Sequence, residues 1–251
     1  MRRFFIEVAY MGTRYSGFQV QQNANTIQEE VTRALKIYFG EEYELTGSSR
    51  TDAGVHALQN FFHFDAEIPI SNRTVYSLNA ILPYDIVVKN IIETMPGAHS
   101  RFDAIARTYH YHVIRFKDPF CFGRAYYYPY ALDTNLLQEM AASVTSHTNF
   151  TSFSKKKTQV KTFNCNIEYS SWIFEKDNWR YEVKADRFLR GMVKGLVGTM
   201  LTLAKNKKSL NEFTDIIGKK DAAAADFSVS SDGLFLTAVE FKDDIFLKPE
   251  L

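Results

Sequence analysis

Positions of alternating polarity and positions repeating near every 3.6 residues succeed one another along the chain, so strands should alternate with helices. Phe4-Phe5-Ile6-Glu7-Val8-Ala9-Tyr10 reads as a first strand. Thr26 suits a helix N-cap, with Glu29 at capping-box spacing. Ile27, Val31, Leu35 and Tyr38 then continue a helical stripe to Gly40. Val55 to Phe64 predicts a second strand, Ser71 to Leu82 a helix stopped by Pro83, and Ile86 to Ile92 a third strand. The pattern restarts at the alternating run Arg107 to Val113, followed by a helix over Leu132 to Val144. Cys165 to Phe174 and Trp179 to Lys184 form a hairpin turning at Lys176-Asp177-Asn178. Arg187 to Leu203 has the strongest helical period, with Leu189, Met192, Val193, Leu196, Val197, Met200 and Leu201 on one face. Leu210 to Ile217 is a further helix and Gly233 to Phe241 a last strand.

Two such strand–helix–strand series imply an α+β fold. We expect two ferredoxin-like, RNA-recognition-like halves, 1–98 and 99–251, divided near Pro96-Gly97. Their sheets would lie side by side with helices outside and a cleft between the halves. The 251 residues suffice for a sizeable core, since 45% are hydrophobic and 24% charged. No run is apolar enough to span a membrane. Glu7 breaks the apolar stretch after Met1-Arg2-Arg3, so the N-terminus reads as a strand of a cytoplasmic protein rather than a signal peptide. Cys121 and Cys165 form no disulfide framework or zinc ribbon and are expected to be buried thiols.

Aromatic residues make up 15% of the chain, 14 of them tyrosines, which suits core packing and stacking surfaces alike. Net charge is only +1, but it is unevenly spread: residues 1–100 carry 8 Lys/Arg against 11 Asp/Glu, and the remainder 22 against 18. The basic clusters are Lys155-Lys156-Lys157 with Lys161, then Arg187, Arg190 and Lys194, then Lys205, Lys207 and Lys208. They could form solvated faces or track phosphates.

The segment Gly47-Ser48-Ser49-Arg50-Thr51-Asp52-Ala53-Gly54-Val55-His56 concentrates the chemistry. Glycines at both ends permit tight turns and close ligand approach. Asp52, two residues from the Arg50 guanidinium, suits a nucleophile or base, and equally an ordinary Asx-turn residue. Lys194 and Arg190, four apart on the expected helix, would share a face and supply cations. His110 and His112 share a strand face, but no third ligand stands at a persuasive spacing, so no metal is expected.

The Arg50-Thr51-Asp52 loop resembles the signature of the TruA family of tRNA pseudouridine synthases. So do Tyr10 to Gln21, Thr26-Ile27-Gln28, Arg101 to Ala104 with Arg107 to Tyr111, Phe188 to Lys194, and Gly233 to Leu236, in the family's order. The resemblance implies conversion of uridine to pseudouridine at tRNA positions 38, 39 and 40, in the anticodon arm. It implies a homodimer without metal or organic cofactor. It gives Asp52 the catalytic position, Arg50 that of the residue holding the target base out of its stack, and Tyr109 that of the tyrosine stacking on the uridine. Lys194 falls where the family has an arginine paired to the aspartate. Phe18 stands in place of tryptophan, an expected arginine near Asn164 is missing, and Ser228 to Ser231 replaces a proline-bearing segment.

Other classes fit less well. A non-catalytic RNA-binding sheet stacking bases on Tyr109 and Tyr111 would not need Asp52 beside phosphates. A zinc base deaminase would need H-x-E with P-C-x-x-C, and neither is present. A two-carboxylate glycosidase lacks a second acid in a comparable loop.

Overall fold

The computed structural model describes residues 1–67, 69–155 and 160–247. Among the described residues it contains nine strands and five α-helices. In chain order they are β1 (Arg2–Tyr10), α1 (Ile27–Phe39), β2 (Thr46–Gly47), β3 (His56–Ala66), α2 (Asn72–Ile81), β4 (Ile86–Thr94) and β5 (Ala104–Ile114). There follow β6 (Tyr126–Tyr127), α3 (Thr134–Val144), β7 (Ile167–Phe174), β8 (Asn178–Ala185), α4 (Met192–Lys205), α5 (Leu210–Lys219) and β9 (Leu234–Phe241). The fold is mixed α+β with mostly antiparallel pairing; β5 and β6 pair in parallel. No helix is long and apolar enough to cross a membrane among the described residues.

The chain forms two compact units, one of 1–105 with 236–251, the other of 106–235. Residues 99–105 and 236–251, grouped with the second half on sequence alone, thus fall in the first unit. In that unit the strands run β4-β1-β3-β9. β1 is antiparallel to both neighbours, with Phe4 opposite Phe64 on one side and Glu93 on the other. Its Phe4-Phe5-Ile6 run follows from burial on both faces, and with Val8 beyond Glu7 all four apolar residues are essentially inaccessible. Phe5 meets Phe61, Phe241 and Phe246 at ring separations of 5.3 to 6.4 Å. α1 begins as expected, with Thr26 Oγ1 accepting from the Glu29 N–H, and it buries Ile27, Val31, Ala34 and Leu35.

In the second unit β8 lies between β5 and β7. The β7–β8 hairpin forms where the alternation predicts it. α3 packs on β7, with Ser170 Oγ donating to the Ala141 carbonyl and Gln138 Oε1 accepting from the Trp172 N–H. α4 carries the expected apolar face but starts at Met192, not Arg187. Gly191 occupies the left-handed region at φ 74°, which ends the preceding turn before the helix begins. Arg187, Leu189 and Arg190 therefore lie outside the helix, and Arg190 does not share a helical face with Lys194.

Candidate active site

In the first unit, the segment from Gly47 to His56 is fixed almost entirely by its backbone and its buried neighbours. Ser48 donates its N–H to the Phe61 carbonyl at 2.8 Å. The fully buried Asn60 on β3 grips Ser49 from both sides, accepting its N–H at 3.3 Å and donating to its carbonyl at 2.8 Å. The same amide donates to the Tyr10 hydroxyl, which bonds Thr51 Oγ1 at 2.8 Å. Ser48, Ser49 and Thr51 are buried, Asp52 is half-buried and Arg50 is exposed. The scaffold thus holds the backbone still, with Arg50 exposed and Asp52 half-buried within it.

A second layer of backbone lies directly over this loop. Phe18 donates its N–H to the Thr51 carbonyl at 3.1 Å, and Gly54 donates to the Tyr15 carbonyl at 3.3 Å. Gly12 donates to His56 Nδ1 at 3.0 Å, so that ring nitrogen is the unprotonated one. The approach at Gly12 leaves no room for a side chain: a Cβ there would stand 2.6 Å from the Val55 carbonyl carbon and nearer still to its oxygen. Phe18 stacks on Phe62 at 4.3 Å and 10° between planes, and lies against Gly47. The Phe18 ring is therefore a fully buried floor for the loop.

Asp85, just ahead of β4, accepts from Arg14 Nε and from the Tyr15 hydroxyl, each at 2.7 Å. Burial opposes its charge, but these two donors hold its carboxyl below the usual carboxylate range. Burial and the adjacent carboxylate push the Tyr15 phenol upward, keeping it a donor. Neither Asp85 nor Asn60 has a sequence signature: one is a lone acid after a Pro-Tyr pair, the other a polar residue in a strand.

In the second unit Tyr109 stands opposite Val183 on β5, half-buried, its ring edge-on to Phe188 at 5.0 Å. Tyr111 is not a surface platform: it is fully buried and donates its hydroxyl to the Ser230 carbonyl at 2.6 Å. His110 pairs with Glu182 at 3.4 Å, and no group of three potential metal ligands occurs among the described residues. Lys194, in the first turn of α4, donates to Ser231 Oγ at 3.3 Å. No acidic residue shares that turn, so its charge adds to the positive end of the helix dipole. Arg190 and Lys161 are exposed; Lys205 lies over the Tyr130 ring and Lys208 pairs with Glu212. Lys156 and Lys157 lie outside the described residues. Cys165 is buried, its thiol pushed up to about 12 by desolvation, whereas Cys121 is only half-buried and faces Asp118.

The model of a family described as tRNA pseudouridine synthase matches residues 6–103 and 141–242, which include the aspartate loop and α4. The chain belongs to that family. Its relatives agree. The tRNA pseudouridine synthase A of Parabacteroides distasonis is 41% identical over 248 residues, covering 98% of each chain. That of Bacteroides thetaiotaomicron is also 41% identical, over 98% of this chain and 93% of its own. That of Staphylococcus aureus is 30% identical with the same coverage. Membership of the tRNA pseudouridine synthases makes the chain an isomerase of tRNA uridines.

Proposed function

We propose that the chain converts uridine to pseudouridine at positions 38, 39 and 40 of the tRNA anticodon stem-loop, with Asp52 as nucleophile or base. The N1–C1′ glycosidic bond breaks, the uracil turns, and C5 joins C1′; C5 loses a proton and N1 gains one, so atoms balance without a cofactor. The observation that carries this reading is the rigid loop that presents Asp52. A carboxylate held by its backbone does not need to be ordered when the reaction occurs.

The remaining roles follow the same chemistry. A base within a stem must be extruded, at a cost of a few kcal/mol. Exposed Arg50 would occupy the vacated space, and stacking on Tyr109 would return about 1–3 kcal/mol. The edge contact with Phe188 supports this by fixing the tyrosine ring. Lys194, in the first turn of α4, would supply a cation to the reacting carboxylate or a nearby phosphate. This mechanism draws on two α+β, ferredoxin-like halves with the uridine bound in a cleft. We assign the enzyme to the cytoplasm as a homodimer holding one tRNA across two subunits. Phe116, Phe120 and Phe122, each at least 68% exposed, are aromatic side chains available to such a contact.

Release of tritium from tRNA labelled at uridine C5 tests the reading. The wild-type chain should release it, and Asp52→Asn should not while still binding tRNA. An amide variant keeping more than a few per cent of turnover would remove Asp52 from the chemistry. A wild-type chain that bound tRNA without release would instead be a binding module.

A further inference from the structure

Asp85 takes no part in the chemistry proposed above, yet it is a buried carboxylate whose side chain is only 5% exposed. Burying a charge is costly, and an apolar contact would stabilise a loop equally well. What an apolar contact lacks is direction. Both Asp85 carboxylate oxygens accept short hydrogen bonds, from Arg14 and Tyr15, and its carbonyl accepts the Met11 N–H at 2.9 Å. Three residues of the segment above the aspartate loop are thereby fixed to one point at the head of β4. The guanidinium is further restrained by the Tyr84 ring, 4.8 Å from its centroid.

From that segment the connection to the loop is short. The Tyr15 carbonyl accepts the Gly54 N–H, and the Asp52 carbonyl accepts the Val55 N–H at 3.2 Å, closing the turn that carries the carboxylate. Gly54 sits in this turn at φ 78°. We infer that Asp85 is a positioning residue for Asp52, acting through Tyr15 on the turn at Gly54. The inference rests on the proposed role of Asp52.

The test uses the full-length protein and saturating tRNA. Asp85→Asn keeps the shape and removes the charge, so Arg14 and Tyr15 lose their common anchor. Turnover should fall on the order of 10- to 100-fold, as expected for a displaced reacting group, with KM for tRNA within about twofold. Loss of stability alone would instead track the melting temperature and disappear on cooling, so the rates are compared at two temperatures well below melting. Tyr15→Phe removes one arm and should lower turnover in the same way, and the double variant should be no slower than the slower single one. Wild-type turnover in Asp85→Asn, or a loss that vanishes on cooling, overturns the inference. If Asp85→Asn does not fold, wild-type turnover in Tyr15→Phe overturns it. Asp52→Asn is run in parallel: turnover there defeats the Asp52 reading, whereas an inactive Asp52→Asn beside a fully active Asp85→Asn defeats this inference alone.

Discussion

Replacing Gly12 with alanine tests whether backbone contact, rather than side-chain chemistry, sets the aspartate loop. Gly12 has no positive φ, so alanine meets no conformational penalty and the effect is purely steric. The added Cβ would stand 2.6 Å from the Val55 carbonyl carbon, against the 3.4 Å at which ordinary contact begins. The obstacle is backbone, which cannot rotate away, so the two loops must separate by about 1 Å, a strain worth about 1–3 kcal/mol. A 1 Å displacement of a reacting group costs on the order of 100-fold in rate. Single-turnover pseudouridine formation, followed by tritium release, should therefore fall far more than tRNA binding. Gly218, exposed on α5 with nothing within 4 Å of a Cβ, is the control. Its alanine variant should keep full activity and gain up to about 1 kcal/mol of stability. A wild-type rate in Gly12→Ala would show that the loop keeps its reactive geometry without this contact.

Acid should destabilise the first unit through His63, which is buried against His99 at 4.6 Å and accepts from the Ser100 N–H. Burial lowers its folded pKa to about 4, with His99 and Arg3 acting in the same direction and Asp65 and Asp103 against it. Because the folded value lies below the unfolded one, stability is intact above about pH 6.5 and declines toward pH 4, by about 2 kcal/mol between pH 7 and 5. Urea midpoints should show a shallower acid decline in His63→Asn, and identical profiles would refute the assignment. Ser48 and Ser49 have buried hydroxyls without a hydrogen-bond partner among the described residues, so Ser49→Ala should be neutral or stabilising by up to about 1 kcal/mol. A clear loss of stability in the same urea assay would contradict that. Lys194→Arg should keep turnover, whereas Lys194→Met should lower the single-turnover rate more than tRNA affinity; equal losses would make Lys194 a binding residue only.

The parts of this fold that were legible in the sequence are those with local repetition. β1, α1 and the β7–β8 hairpin each carry several periods of their own pattern, and their ends bear recognisable caps or turn residues. The apolar spacing runs on to Leu189, ahead of the true start of α4 at Met192, because periodicity does not register the left-handed Gly191. β2 and β6, two residues each, are too short to show any period. The site divides in the same way. The Asp52 loop announces itself by small residues around an Arg-Thr-Asp triplet, while Asp85 and Asn60 act through partners distant in sequence. Tyr111 shows the converse error: alternation placed it on a strand face, but only its hydroxyl bond to Ser230 reveals that this part of the face is closed.

The discontinuity of the first unit also bears on how the protein is made. Its last strand is separated from the rest by 130 residues, 106–235, all of which must leave the ribosome first. At cellular elongation rates that interval lasts on the order of ten seconds. Throughout it Phe5 and Phe61 lack the covering rings of Phe241 and Phe246, so the nascent chain displays an aromatic patch that the finished enzyme conceals. The intervening unit, continuous in sequence, is the part free to fold as it emerges, and sealing of the first unit must wait until that whole unit has been made.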